Sequence, residues 1–209
     1  MTAASRPYLL FTVFTAGMVT LAVELSASRL LGNIFGTSNL VWANVIGLIL
    51  LYLAAGYFLG GRWADRSPHP RTFYGLLTVA AGLSGLVPLA ARPVLRFAAE
   101  AMATLDAAVA GGSFLAVLIL FSAPVTLLGC ASPFAIRLAI TDPAQAGRVS
   151  GRIYAISTLG SLVGTFSPVL IFIPWLGTTR TFLLFAGMLF AVAWLGLLVK
   201  LGLPRENIW

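Results

Sequence analysis

Apolar residues fill six long runs of this chain, and charged residues scarcely interrupt them: Tyr8–Leu31, Leu40–Gly60, Thr72–Ala91, Ser113–Ile136, Ser150–Leu176 and Thr179–Lys200. Each is close to the ~20 apolar residues that a helix needs to cross the hydrocarbon core of a bilayer. None alternates apolar and polar positions over ~10 residues, as the strands of a membrane barrel do. A helix satisfies its backbone donors and acceptors internally, which lipid requires of any spanning segment. The pattern predicts an all-α integral membrane protein with six transmembrane helices, forming a single domain over residues 1–209. Between the third and fourth runs, Leu95, Ala98, Met102, Leu105 and Val109 recur at helical spacing, with Arg96 and Glu100 as an i,i+4 pair on the other side. This segment, about 94–109, predicts an amphipathic helix on the outer membrane surface, either a connector or a lid over an external cavity.

Composition narrows the classes further. Hydrophobic residues make up 59% and charged residues 9%, against roughly a quarter charged in a soluble domain. The net charge of +7 would suggest nucleic acid in a soluble protein. Here the basic residues sit in short segments between apolar runs, so the expected surroundings are a lipid bilayer and not nucleic acid. With the N-terminus inside, the inner side holds Arg6, Arg62, Arg66, Arg71, Arg137, Arg148, Arg152, Lys200 and Arg205, against Arg92, Arg96 and Arg180 outside. The positive-inside bias then predicts both termini on the cytoplasmic face of a bacterial-type inner membrane. Trp42 and Trp175 would mark the outer interface, and Tyr8, Trp63 and Tyr74 the inner one. The first run is longer than a signal-peptide core and contains Glu24, so it reads as a retained span. One cysteine, Cys130, and one histidine, His69, leave no internal disulfide and no His/Cys metal cluster. No nucleotide loop and no Ser/His/Asp set is present, so no catalytic residue, cofactor or metal is expected.

Four features carry information. Glu24 lies about seven residues before the end of the first run, roughly 10 Å below the surface at 1.5 Å per residue. An ionisable residue at that depth is paired, faces water or marks a functional site. Its candidate roles are a hydrogen bond between helices, a ligand or proton site, or a subunit contact. Arg29 is the neighbouring candidate, but five residues turn a helix by about 140°, so the two do not share a face. The turn Gly60-Gly61-Arg62-Trp63-Ala64-Asp65-Arg66 pairs small residues with an aspartate among arginines. Gly61, Asp65 and Arg66 are candidates for a conformational latch, or belong to an ordinary positive-inside loop. Gly147 and Gly151 precede a ladder of Ser157/Ser161 and Gly160/Gly164, each pair four apart. That spacing lets helix backbones touch, so Gly151, Ser157, Gly160, Ser161 and Gly164 are candidate packing residues, within the chain or at a dimer face. Pro124 and Pro133 bracket Gly129 and predict a bent fourth helix.

The Gly-Gly-Arg-Trp-Ala-Asp-Arg turn resembles the signature loop between the second and third helices of major facilitator transporters. Three spans followed by three of opposite direction resemble one half of such a transporter, a 3+3 inverted topology. Taken in order, Gly17, Glu24 and Arg29-Leu30-Leu31, then that turn, then Pro124, Leu128-Gly129, Pro133 and Arg137, then Gly151 through Tyr154-Ala155, Thr158-Leu159-Gly160 and Gly164 resemble the transmembrane domain of membrane-bound spermidine synthase-like proteins. Fused members of that family carry a soluble aminopropyltransferase-like domain after the last helix, whereas this sequence ends at Trp209. The resemblance implies a non-enzymatic membrane module. Its expected roles are a subunit that anchors or scaffolds a protein partner, or a half-size transporter, working as a homodimer or with a partner, for a small cationic solute such as a polyamine.

Overall fold

A computed structural model describes residues 5–102 and 108–198. Lys200 and Arg205, and positions 103–107 of the predicted surface helix, lie outside the described residues. The described chain folds as α1 (Ser5–Phe35), α2 (Asn39–Arg66), α3 (Pro70–Met102), α4 (Ala108–Gly129), α5 (Ala131–Ala139), α6 (Ala146–Ser167) and α7 (Ile173–Leu198). A 3₁₀ turn, Pro143–Gln145, leads into α6, and one π turn, Pro168–Phe172, joins α6 to α7. Among the described residues there is no strand. Five stretches are long and apolar enough to cross a membrane: Arg6–Phe35, Asn39–Arg66, Pro70–Met102, Val109–Ala139 and Pro143–Leu198.

The ends of these elements follow from local chemistry. Gly36 takes φ 77° and turns the chain after α1. Ser38 then caps α2, its hydroxyl accepting from the Val41 N–H. Pro68 and Pro70 follow the last turn of α2 and stop it. The last stretch, 56 residues long, is interrupted at Gly177, where φ 78° and ψ 165° are not helical. That backbone region is essentially restricted to glycine, and it falls in the gap between the fifth and sixth predicted runs. The bend predicted between Pro124 and Pro133 falls at Cys130, whose N–H bonds three residues back to Leu127 instead of four.

The third element departs from the sequence reading. The apolar run stops at Ala91, before Arg92 and Pro93, and a separate helix was expected from about 94. Instead α3 continues unbroken through Pro88 and Pro93 to Met102. Its 33 residues amount to ~50 Å. An internal proline removes one backbone bond, and neighbouring helices support the helix across it. Leu95 and Ala98 are buried while Phe97 is exposed, so the apolar stripe faces the bundle.

The core is built where α1 packs on α6, α2 on α4, and α3 on both α4 and α7, with α7 closing against α1. Large side chains fill the middle: Phe73 lies 5.9 Å from Phe134, and Phe121 lies 6.4 Å from Phe182. At two crossings glycine brings the helix backbones themselves into contact. A methyl group on Gly56 would meet the Thr126 carbonyl, one on Gly60 would meet the Cys130 backbone, and one on Gly129 would meet the Leu53 carbonyl. At the α1–α6 crossing, a methyl on Gly160 would meet the Phe14 carbonyl, one on Gly164 the Met18 carbonyl, and one on Gly17 the Ser157 carbonyl. The two crossings share one register. A constant shift carries Leu53, Gly56 and Gly60 onto Ser157, Gly160 and Gly164, and a second carries Phe14, Gly17 and Met18 onto Thr126, Gly129 and Cys130.

Candidate functional site

On α1, Val19, Ala22, Val23, Ser26, Ala27 and Leu31 are buried. Thr20, Glu24 and Ser28, one turn apart, form a half-buried stripe beside them. The two hydroxyls turn into their own helix: Thr20 donates to the Ala16 carbonyl at 2.8 Å and Ser28 to the Glu24 carbonyl at 3.2 Å. Neither is left to serve the Glu24 carboxylate. Among the described residues the one ion pair is between Arg137 and Asp65, so Glu24 has no cationic partner among them. Arg29 is exposed and does not pair with Glu24. The structure does not bring these two candidates together.

Two further polar groups near the middle of their helices have no partner among the described residues, the hydroxyls of Ser26 and Tyr52. Both are buried, and native proteins leave few such groups unpaired. Sequence reasoning missed them because neither residue type is unusual in an apolar helix; only burial makes them notable.

At one end of the bundle, Asp65 in the last turn of α2 accepts from Nε of Arg137 on α5 at 3.1 Å. Asp65 thus reaches α5 through Arg137. Gly60, not Gly61, makes the close approach, because a methyl on Gly61 would enter open space. The alternation of helix ends that joins α2 to α5 is tertiary, which is why a local motif could not name Arg137 as the partner. The side chains of Asp65 and Arg137 are 74% and 47% exposed, and exposed pairs of this kind contribute ~1 kcal/mol or less. Asp65→Asn and Arg137→Gln should each lower stability by no more than about 1 kcal/mol, with the double variant no worse than either alone. Thermal unfolding of the four proteins checks this, and additive losses would mean the pair does not act as a pair.

The small-residue ladder divides. Gly160 and Gly164 receive the α1 backbone, and Ser161 donates its hydroxyl to the Gly17 carbonyl at 3.2 Å. Gly151 has nothing within 4 Å of a methyl group and stands outside the crossing. The aromatic residues also divide. Trp42, Trp63 and Trp175 are exposed, whereas Tyr74 is buried and Tyr8 turns inward to donate to the Val192 carbonyl. Their rings pack 5.9 Å apart, and Gly196 admits the Tyr74 ring. Both tyrosines thus pack against α7.

No metal-binding group of three or more His, Cys, Asp or Glu side chains forms among the described residues. No protein-family model, curated protein or solved structure matches the chain.

Proposed function

We propose that this chain is a non-catalytic integral membrane subunit of the spermidine synthase-like transmembrane family, which anchors or scaffolds a partner protein in a bacterial-type inner membrane with both termini cytoplasmic. In this reading it crosses the membrane six times, because Gly177 divides the last apolar stretch into two crossings. The 3+3 inverted arrangement, resembling one half of a major facilitator transporter, has specific support. If α1, α2 and α3 correspond to α4, α6 and α7, the α1–α6 contact maps onto α4–α2, α3–α4 maps onto α7–α1, and α3–α7 maps onto itself. These are the principal contacts of the bundle, and the shared glycine register of the first pair follows the same correspondence. Three crossings per unit is an odd number, so two such units insert in opposite directions.

The observation that carries the subunit reading is Glu24. Acidic residues within a membrane pair with one another, with backbone or with a water-filled path, and this one has no cationic partner among the described residues. A neighbouring protein that offers a donor or a cation to the α1 stripe would complete it. A small cationic solute at the same carboxylate is the second reading, favoured by the same observation. Gentle extraction from the source membrane, followed by mass spectrometry of what co-purifies, should return a partner in fixed ratio. A chain that runs alone, yet takes up a polyamine in reconstituted vesicles, would replace the subunit reading with the transport one.

A further inference from the structure

At the end of the bundle where α1 begins and α5 gives way to α6, a cavity of about 100 Å³ is lined by Arg6, Thr141, Asp142, Gln145 and Arg152 over an apolar floor that includes Leu9, Val149 and Ile153. Arg6 comes from the first turn of α1 and Arg152 from the second turn of α6, so the tertiary fold, not a local motif, brings two arginines to one cavity. Among the described residues neither makes an ion pair. The single carboxylate in the wall is already engaged: Asp142 accepts from the Ala144 N–H at 3.0 Å and from the Gln145 amide at 3.2 Å. The lining is therefore net cationic, with two donor forks that suit the oxygens of a phosphate.

We propose that this cavity binds a phosphate group, specifically the headgroup phosphodiester of an anionic phospholipid. A cavity of about 100 Å³ has room for one tetrahedral oxyanion. The apolar floor decides between the two sources of phosphate. A site for a free anion gains from polar groups on all sides, whereas a lipid phosphate arrives attached to glycerol and acyl chains, which Leu9, Val149 and Ile153 accommodate. Basic pockets between membrane helices at a cytoplasmic boundary are the setting in which anionic headgroups bind. The inference rests on the helices lying in a membrane and is independent of the subunit reading.

The test is native mass spectrometry of the full chain in mild detergent, titrated separately with phosphatidylglycerol, phosphatidylcholine and inorganic phosphate. One phosphatidylglycerol should be retained per chain, in preference to phosphatidylcholine. Arg6→Gln with Arg152→Gln should weaken its binding at least tenfold, and Val149→Trp, which fills the cavity without altering charge, should displace it. Arg148→Gln, a neighbouring charge outside the cavity, should leave binding unchanged. Circular dichroism of each variant confirms that it is folded. Equal weakening by Arg148→Gln, or no preference for the anionic lipid, would reduce the effect to general surface charge and overturn the proposal. Saturable binding of inorganic phosphate with no lipid retained would overturn the lipid assignment and leave a soluble-anion site.

Discussion

Gly160→Ala and Gly164→Ala should each destabilise the bundle by ~1–3 kcal/mol, the usual cost of overpacking a closely fitted interior. Elsewhere in these same helices Gly→Ala should do the opposite. At Gly160 and Gly164 the added methyl has only the Phe14 and Met18 carbonyls to meet, and a backbone carbonyl cannot swing aside as a flexible side chain can. The helices must separate, which loses the Ser161 hydrogen bond to Gly17 as well. At Gly151, in the same helix, the methyl enters open space. There alanine removes only the helix penalty of glycine and should raise stability by roughly 0.5–1 kcal/mol. The α2–α4 crossing repeats the geometry, so Gly56→Ala and Gly60→Ala should match the losses at Gly160 and Gly164, while Gly61→Ala should behave like Gly151→Ala. Thermal or denaturant unfolding in one detergent reads all six. Equal effects at Gly151 and Gly160 would remove the backbone crossing as the cause. Losses at the α1–α6 crossing without matching ones at α2–α4 would break the correspondence on which the inverted arrangement rests.

These residues also show where the sequence was legible. Run length and composition place the helices well, because lipid exposure demands an apolar surface whatever the helix packs against. The position of the break near Gly177 and the bend near Cys130 could be read for a similar reason: glycine and proline act on the backbone locally. The end of α3 could not be read that way. Pro93 looks like a terminus in isolation, but α4 and α7 pack along α3 and hold the helix across it. The ladder of Ser157 to Gly164 announced a close crossing without naming its partner, since small residues specify closeness and not identity. Gly56 belongs to the matching crossing and passed unnoticed, because its spacing to Gly60 lay inside an apolar run with nothing polar to draw attention. That Gly60 and not Gly61 faces the neighbouring helix has the same origin: which of two adjacent glycines does so depends on helix rotation, which the chain alone does not display. Arg6 and Arg152 read as orienting charges, and only the fold places them on one cavity.

Glu24→Leu should move the isolated chain and its assembly in opposite directions. On its own the chain carries a half-buried carboxylate at membrane depth with no cationic partner among the described residues, and a charged side chain near the centre of a span costs about 2.5–3.5 kcal/mol on insertion scales. Leucine removes that cost, so the purified variant should unfold from detergent at a higher temperature than the unchanged chain. In the assembly the sign reverses. Removing one member of a desolvated, hydrogen-bonded charge pair costs ~3–5 kcal/mol, which is more than a hundredfold in affinity at 1.4 kcal/mol per decade. The partner should therefore be lost from the purification of the variant. Glu24→Gln separates the two readings of the site. The amide keeps an acceptor for a neighbouring protein's hydrogen-bond donor but no longer neutralises a cation. Retention of the partner with Gln and loss with Leu would identify a protein contact made by hydrogen bonding. A chain that holds no partner but binds a polyamine, and loses that binding equally with Gln and Leu, would assign the carboxylate to a cationic solute. A leucine variant no more stable than the unchanged chain would mean that Glu24 already has a polar environment within the bundle, and it would remove the reason for seeking a partner there.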